Sequence, residues 1–283
     1  MTCRELFEWE ETITIIREMQ PEAVIFGGMP GADIRWVGNE GGIAGDQCWH
    51  TFGAGLGEDA GVEALNQGMR AGEVWFPAEC DVSIRPGWFF HRRENSLVRD
   101  PQNLLDLYFK SVGRGASLLL NLPPDRRGRI HHRDVESLLG FRQALERIFA
   151  VDLAKCARAS ASQYRGTGAD YAPGRALDGR ATTYWSTEDD VMQAELVLDF
   201  DWPVTFNLVS LREHLPLGQR IDAFAIDAWV GGGWKQLHRG EAIGNRRLVR
   251  LERVTTERVR LRILRAAACP AIQELSLFCT EML

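Results

Sequence analysis

The densest group of residues able to do chemistry lies in DIRWVGNEGG, where Asp33, Arg35, Trp36, Asn39 and Glu40 occupy a glycine-rich stretch directly after the apolar run AVIFGG. A carboxylate beside tryptophans, on a loop that follows a strand, can acquire the raised pKa of a general acid. The same pattern also describes a surface loop with solvated acids. A second cluster, WFPAECDVSIRPGWFFH, sets Glu79, Asp81, Arg85, Trp88 and His91 around another apolar run. Aromatic faces and charged groups together suit a sugar, stacking on its C–H surface and hydrogen-bonding its hydroxyls. The structural alternative puts Trp75, Phe76 and Phe89 in a core and pairs Glu79 with Arg85. His131 and His132 precede two acids, but adjacent histidines on a helix do not face one way. Asp134 is also a favourable first-turn acid, so no metal is assigned there.

These residues need elements to hold them. Phe7, Ile13, Ile16 and Met19 recur at helical intervals and stop at Pro21, predicting an amphipathic helix before the AVIFGG strand. VWFPAECDVSI reads as a second strand, PQNLLDLYFKSVGRG as a helix ending in glycine, ASLLLNLP as a third strand and HRDVESLLGFRQALERIFAVD as a long helix. Apolar strands alternating with helices predict a parallel sheet with helical crossovers, the anatomy of a (β/α) barrel with its site at the carboxyl ends of the strands. About three units of the barrel's eight are visible, so residues 1–153 read as part of one. After residue 154 the helical period gives way to short alternating segments: AELVLDF, FNLVSLRE, AFAIDAWV, WKQLH, RLVRLE, RVRLRIL and ELSLF. Residues 154–283 are therefore expected to form an antiparallel β-sandwich, with the boundary in KCARASASQYRGTG.

Composition narrows the partners. At 45% hydrophobic residues, a chain of 283 can fill cores for two domains, and a net charge of -6 without a basic stripe argues against nucleic acid. The N-terminus lacks the basic start and apolar run of an export signal, and no segment approaches the roughly 18 apolar residues of a membrane span, predicting a soluble chain. Six scattered cysteines without a metal-ligand spacing read as reduced thiols, with Cys269–Cys279 a minor disulfide candidate.

The blocks RWVGNEGGIAG, WFPAECDVSIRPGWFFH and SVGRGASLLLNLPPDRRGRIH resemble those of the α-L-fucosidases of glycoside hydrolase family 29, especially the branch acting on 1,3- and 1,4-linked fucose. The resemblance covers most of residues 6 to 150. It implies a retaining glycosidase acting on fucosylated oligosaccharides or glycoprotein glycans, with no cofactor for catalysis and with Glu40 as the acid/base. It further implies Trp88 as a wall of the fucose pocket, with Trp36, Arg35, Asp81 and Arg85 as polar or aromatic neighbours of the sugar. The family's nucleophilic aspartate, in a tryptophan-phenylalanine-aspartate-glycine block, has no counterpart here, nor do the histidines of the earlier strands. The chain alone is then expected to be inactive, either as a fragment or as one part of a split enzyme, because retention needs two carboxyls about 5 Å apart. A non-catalytic carbohydrate-binding or scaffold protein is the alternative, and a different retaining glycosidase using Glu79 or Asp81 is a third reading. YAPGRALDGRATTYWST, ELVLDF and ACPAIQELSLF resemble the F5/8 type C, or discoidin-like, sandwiches. That likeness places a structural calcium ion at Asp178, Thr183 and Glu274. Trp202, Trp229 and Trp234 could bind sugar there or belong to its core.

Overall fold

Leu104, Leu105, Leu107 and Phe109 recur at helical spacing behind Pro101, whose fixed φ suits a first turn, and they bury one stripe of a helix. The same logic of period and punctuation runs through the computed structural model, which describes residues 8–28, 31–53 and 61–281. Phe7 and Cys3 lie outside the described residues. In chain order the elements of the first part are α1 (Trp9–Met19), β1 (Phe26–Gly27), β2 (Ile34–Trp36), β3 (Thr51–Phe52), α2 (Val62–Gln67), β4 (Val74–Trp75), β5 (Ala78–Ser83), α3 (Pro101–Lys110), β6 (Ser117–Asn121) and α4 (His132–Ile148).

The chain divides into two units that interleave along the sequence: residues 1–99, 110–112 and 116–134, then residues 100–109, 113–115 and 135–283. The first unit holds a four-stranded sheet in the order β1-β2-β5-β6, every neighbouring pair parallel. Where the sequence suggested a loop, Ile34–Trp36 is a strand; its central arginine masks the apolar signal yet is fully buried. VWFPAECDVSI is two strands, because Pro77 has no N–H to continue a ladder; β4 turns aside to pair with β3. Side chains of β5 alternate. Ala78 and Cys80 face a small core with Val37, Ala44, Cys48 and Ala116. Glu79 and Asp81 share the opposite face with Trp36, Ser117 and Leu119, their register partners or neighbours, and this face stays partly open, Leu119 being 47% exposed.

The second unit is built on β7 (Arg158–Ala161), β8 (Trp185–Ser186), β9 (Ala194–Glu213), β10 (Ile221–Val230), β11 (Gly233–Gly240), β12 (Arg247–Ala266) and β13 (Ala271–Phe278). They form one antiparallel sheet, β11-β10-β12-β9-β13-β8, with β7 also on β9. AELVLDF and FNLVSLRE are continuous as β9, and RLVRLE and RVRLRIL as β12. The register between β9 and β12 breaks between Asp199↔Arg258 and Val204↔Thr256, so Pro203 falls where the ladder asks for no donor. Leu196 and Leu198 before the break share a core with Val209, Leu211, Leu275 and Leu277 beyond it. Leu105, Phe109, Ala144 and Ile148 pack on Leu208, Leu248 and Phe278 as a second cluster. Cys269 and Cys279 are both free thiols, so the suggested disulfide is not formed. Among the described residues no helix is long and apolar enough to cross a membrane.

Candidate active site

Parallel strands carry their loops to one end, and the loops after β2, β5 and β6 hold the candidate residues. Glu40 stands four residues beyond β2, exposed, at a turn that Asn39 closes: its Oδ1 accepts the Gly41 N–H at 3.0 Å and its Nδ2 donates to the Ile43 carbonyl at 2.9 Å. Trp88, five residues beyond β5, donates its indole N–H to Glu40 Oε2 at 2.8 Å. One carboxylate oxygen is thereby held.

The backbone of Trp88 is itself anchored. Asn121 Nδ2 donates to the Trp88 carbonyl and to Ser83 Oγ, both at 3.0 Å, and Ser83 Oγ donates to the Gly87 carbonyl at 2.8 Å. Ser83 and Asn121 are register partners at the ends of β5 and β6. Sequence reasoning did not single out either residue; the available signal was a polar residue closing each apolar run. On the sheet face below, Trp36 Nε1 donates to Asp81 Oδ1 at 2.8 Å. Burial, and then the neighbouring Asp81, pushes the Glu79 carboxyl above its ordinary range.

The two arginines proposed as neighbours of the sugar are placed differently. Arg35 is 0% exposed and donates to the carbonyls of Phe76 (3.4 Å), Trp49 (2.7 Å) and Leu65, tying the β3–β4 region and α2 to β2. Burial lowers its pKa. Arg85, 1% exposed, pairs with Asp134 (Nε–Oδ2 3.0 Å, Nη2–Oδ1 2.9 Å) rather than with Glu79, and also donates to Asn95 Oδ1 at 3.1 Å. Both brace loops. Of the three aromatics weighed as core, only Phe76 is buried; Trp75 is 43% and Phe89 78% exposed.

In the second unit the carboxylate of Asp178 accepts the Thr183 hydroxyl at 2.7 and 2.8 Å and the Arg180 N–H at 2.9 Å, with Arg175 at 3.5 Å. Glu274 bonds Ser210 at 3.0 Å. Asp178 and Thr183 are thus hydrogen-bonded to each other, while Glu274 bonds a different strand. Among the described residues no group of three His, Cys, Asp or Glu side chains is arranged to hold a metal. Trp229 and Trp234 meet edge to face at 5.5 Å, and Arg258 and Arg260 lie over their rings at 4.4 to 5.5 Å, so arginine takes the faces a sugar would use. Trp202 is 58% exposed.

No family model matches the sequence. Over 272 residues it is 37% identical to Alpha-L-fucosidase 1 of Arabidopsis thaliana, an alignment covering 94% of this chain and 53% of that protein. The chain is thus similar to an α-L-fucosidase. A solved structure from Bacteroides thetaiotaomicron superposes with a TM-score of 0.90 at 38% identity, covering 97% of this chain and 62% of that one. A Ruminococcus gnavus GH29 fucosidase in complex with fucose superposes with a TM-score of 0.86 at 27% identity, covering 98% and 58%. Of these, the Ruminococcus gnavus protein is a member of glycoside hydrolase family 29. The chain spans about half the length of the Arabidopsis relative it matches.

Proposed function

We propose that this chain supplies the acid/base part of a retaining α-L-fucosidase that releases α-1,3- or α-1,4-linked L-fucose from glycans. The observation that carries the reading is the Trp88–Glu40 hydrogen bond at the carboxyl end of a parallel sheet. Glu40 gives its proton to the glycosidic oxygen as that bond breaks, while an aspartate outside this chain takes the anomeric carbon. Glu40, now a carboxylate, then removes a proton from the water that displaces the aspartate. Trp88 holds the carboxylate through both halves of the cycle, and its ring offers an apolar wall to the sugar. In this reading residues 1–153 are the C-terminal portion of a (β/α)8 barrel, residues 154–283 a discoidin-like sandwich, and the substrates fucosylated oligosaccharides or glycoprotein glycans.

The test is hydrolysis of an aryl α-L-fucoside by the 283-residue chain alone and mixed with a second polypeptide corresponding to the half of the relatives that it does not span. Activity is expected only in the mixture, and Glu40→Gln should lower turnover of a natural fucosyl glycan by about 10²-fold or more. A full enzymatic rate from the chain alone would overturn the reading. Glu79, whose carboxyl burial and Asp81 raise, would then be the second carboxylate to replace.

A further inference from the structure

Within the same unit as Glu40 and Trp88 is a cavity of about 670 Å³ formed by the loops after β5 and β6. Its walls include Phe90, Arg92, Asn95, Arg126, Arg127 and His131. The volume lies within the range that small-molecule and sugar sites occupy, about 300–1,000 Å³. Both loops are shared with the candidate active site. Phe90 follows Trp88 by two residues, and Asp125 follows Asn121, which pins the Trp88 carbonyl, by four.

The charge of this cavity is what distinguishes it. Arg127 is neutralised by Asp125, its Nε and Nη2 lying 3.0 and 2.6 Å from Oδ2, while the other carboxylate oxygen accepts the Arg127 and Arg129 N–H groups. Arg85, buried nearby, is neutralised by Asp134. Arg92 and Arg126 are left facing the cavity with no acidic partner among the described residues, in a protein whose net charge is -6. Between them the floor is pre-set. The Phe90 ring lies beneath Arg85 at 4.6 Å and beside His131 at 5.7 Å. The Asn95 amide bridges Arg85 at 3.1 Å and His131 Nε2 at 3.3 Å. Burial, His132 and Arg85 lower the His131 pKa, which favours the uncharged imidazole.

We propose that this cavity is an oxyanion subsite, in which Arg92 and Arg126 bind a sulfate ester or a carboxylate borne by the glycan on the leaving-group side of the fucose. The proposal rests on the fucosidase reading for its substrate class. Guanidinium forks match both oxyanions and gain from charge-assisted hydrogen bonds. Phe89, between Trp88 and Phe90 in the same loop, is 78% exposed and offers an aromatic face to a sugar.

Titration calorimetry on the 283-residue chain tests it with three probes: a neutral lactoside, the same lactoside carrying one sulfate ester, and the same carrying a carboxylate in that place. At least one anionic probe should bind about tenfold more tightly than the neutral one, the yield of one charge-assisted contact. The preference should shrink with salt, and the two anionic arms report which oxyanion the site takes. Arg92→Gln with Arg126→Gln should bring the probes to parity, and Arg92→Lys with Arg126→Lys should restore part of the difference. Both arginines are exposed, so the variants keep the fold. Equal binding of neutral and anionic probes, or a preference that survives both glutamines, overturns the proposal. The aryl α-L-fucoside bears no anion, so its hydrolysis judges the fucosidase reading and the lactoside titration judges the cavity, each independently.

Discussion

Arg85 separates two views of the loop that carries Trp88. If it contacts the sugar, replacing it removes binding and spares the fold; if it braces the loop, replacing it costs stability. Its side chain and that of Asp134 are both 0% exposed, joined at 3.0 and 2.9 Å. Breaking such a pair from either side strands a charge without solvent and costs about 3–5 kcal/mol, whereas exchanging both partners for apolar residues of similar size is close to neutral. Arg85→Met leaves the Asp134 carboxylate without its guanidinium, and Asp134→Leu leaves that guanidinium held by Asn95, the His91 carbonyl and the Phe90 ring. Each single variant is therefore expected to lose about 3–5 kcal/mol in urea unfolding followed by tryptophan fluorescence, and the double variant to lie within about 2 kcal/mol of the parent. A single-variant loss below about 1 kcal/mol, with loss of sugar binding, would return Arg85 to the substrate and refute the brace.

Other perturbations test the site piece by piece. Trp88→Phe keeps a ring and removes the N–H that holds Glu40 at 2.8 Å; the reconstituted activity should fall about tenfold in kcat, with a smaller change in KM. Asn121→Asp is nearly isosteric but replaces the donor between the Trp88 carbonyl and Ser83 Oγ with an acceptor. It should therefore lower kcat more than Asn121→Ala does, and the reverse order would show that Asn121 does not position Trp88. Because the Glu79 carboxyl is raised from 4.5 by burial and by Asp81, the fold favours its protonated form. Its share of stability is then present below pH 4.5 and lost as pH rises through the raised value. Glu79→Gln should accordingly match the parent at the acid end and exceed it near neutrality, and equal urea midpoints at both pH values would contradict the assigned environment. Gly68 has φ +71° and an added Cβ would lie 2.1 Å from the Trp49 carbonyl oxygen and 2.9 Å from Arg35 Nη2. Gly68→Ala should cost about 2 kcal/mol or more by displacing the arginine brace, read as a lower urea midpoint.

What the sequence made legible follows from how locally each feature is encoded. Helices α3 and α4, with their strong 3.6-residue stripe and a proline or first-turn acid at the start, are where the pattern placed them. Strand β2 was hidden because Arg35 at its centre reads as polar, and only the carbonyls of Leu65, Trp49 and Phe76, distant in sequence, make a buried arginine tolerable. The merging of segments into β9 and β12 was equally out of reach, since Pro203 reads as a strand end unless the register break of the partner is known. Among the site residues, Glu40 and Trp88 were legible through family blocks, and the hydrogen bond between them depends on a separation of 48 residues that no local pattern encodes.

The same distinction explains how Glu40 and Trp88 are held on loops outside the core. Glu40 is exposed and Trp88 only half-buried. Each is fixed by polar groups at a strand end or a turn: Asn39 closes the turn under Glu40, and Ser83 with Asn121 fixes the backbone of Trp88. Those strand ends are in turn set by the β5–β6 register, Ser83 opposite Asn121, which the apolar alternation of β5 imposes, because a slip of one residue would drive Glu79 and Asp81 into the core of Val37 and Cys48. The burial pattern of one strand thus determines the position of an acid 48 residues from its tryptophan partner. Substitutions that disturb the alternation of Ala78, Cys80 and Val82 should therefore alter catalysis before they unfold the sheet.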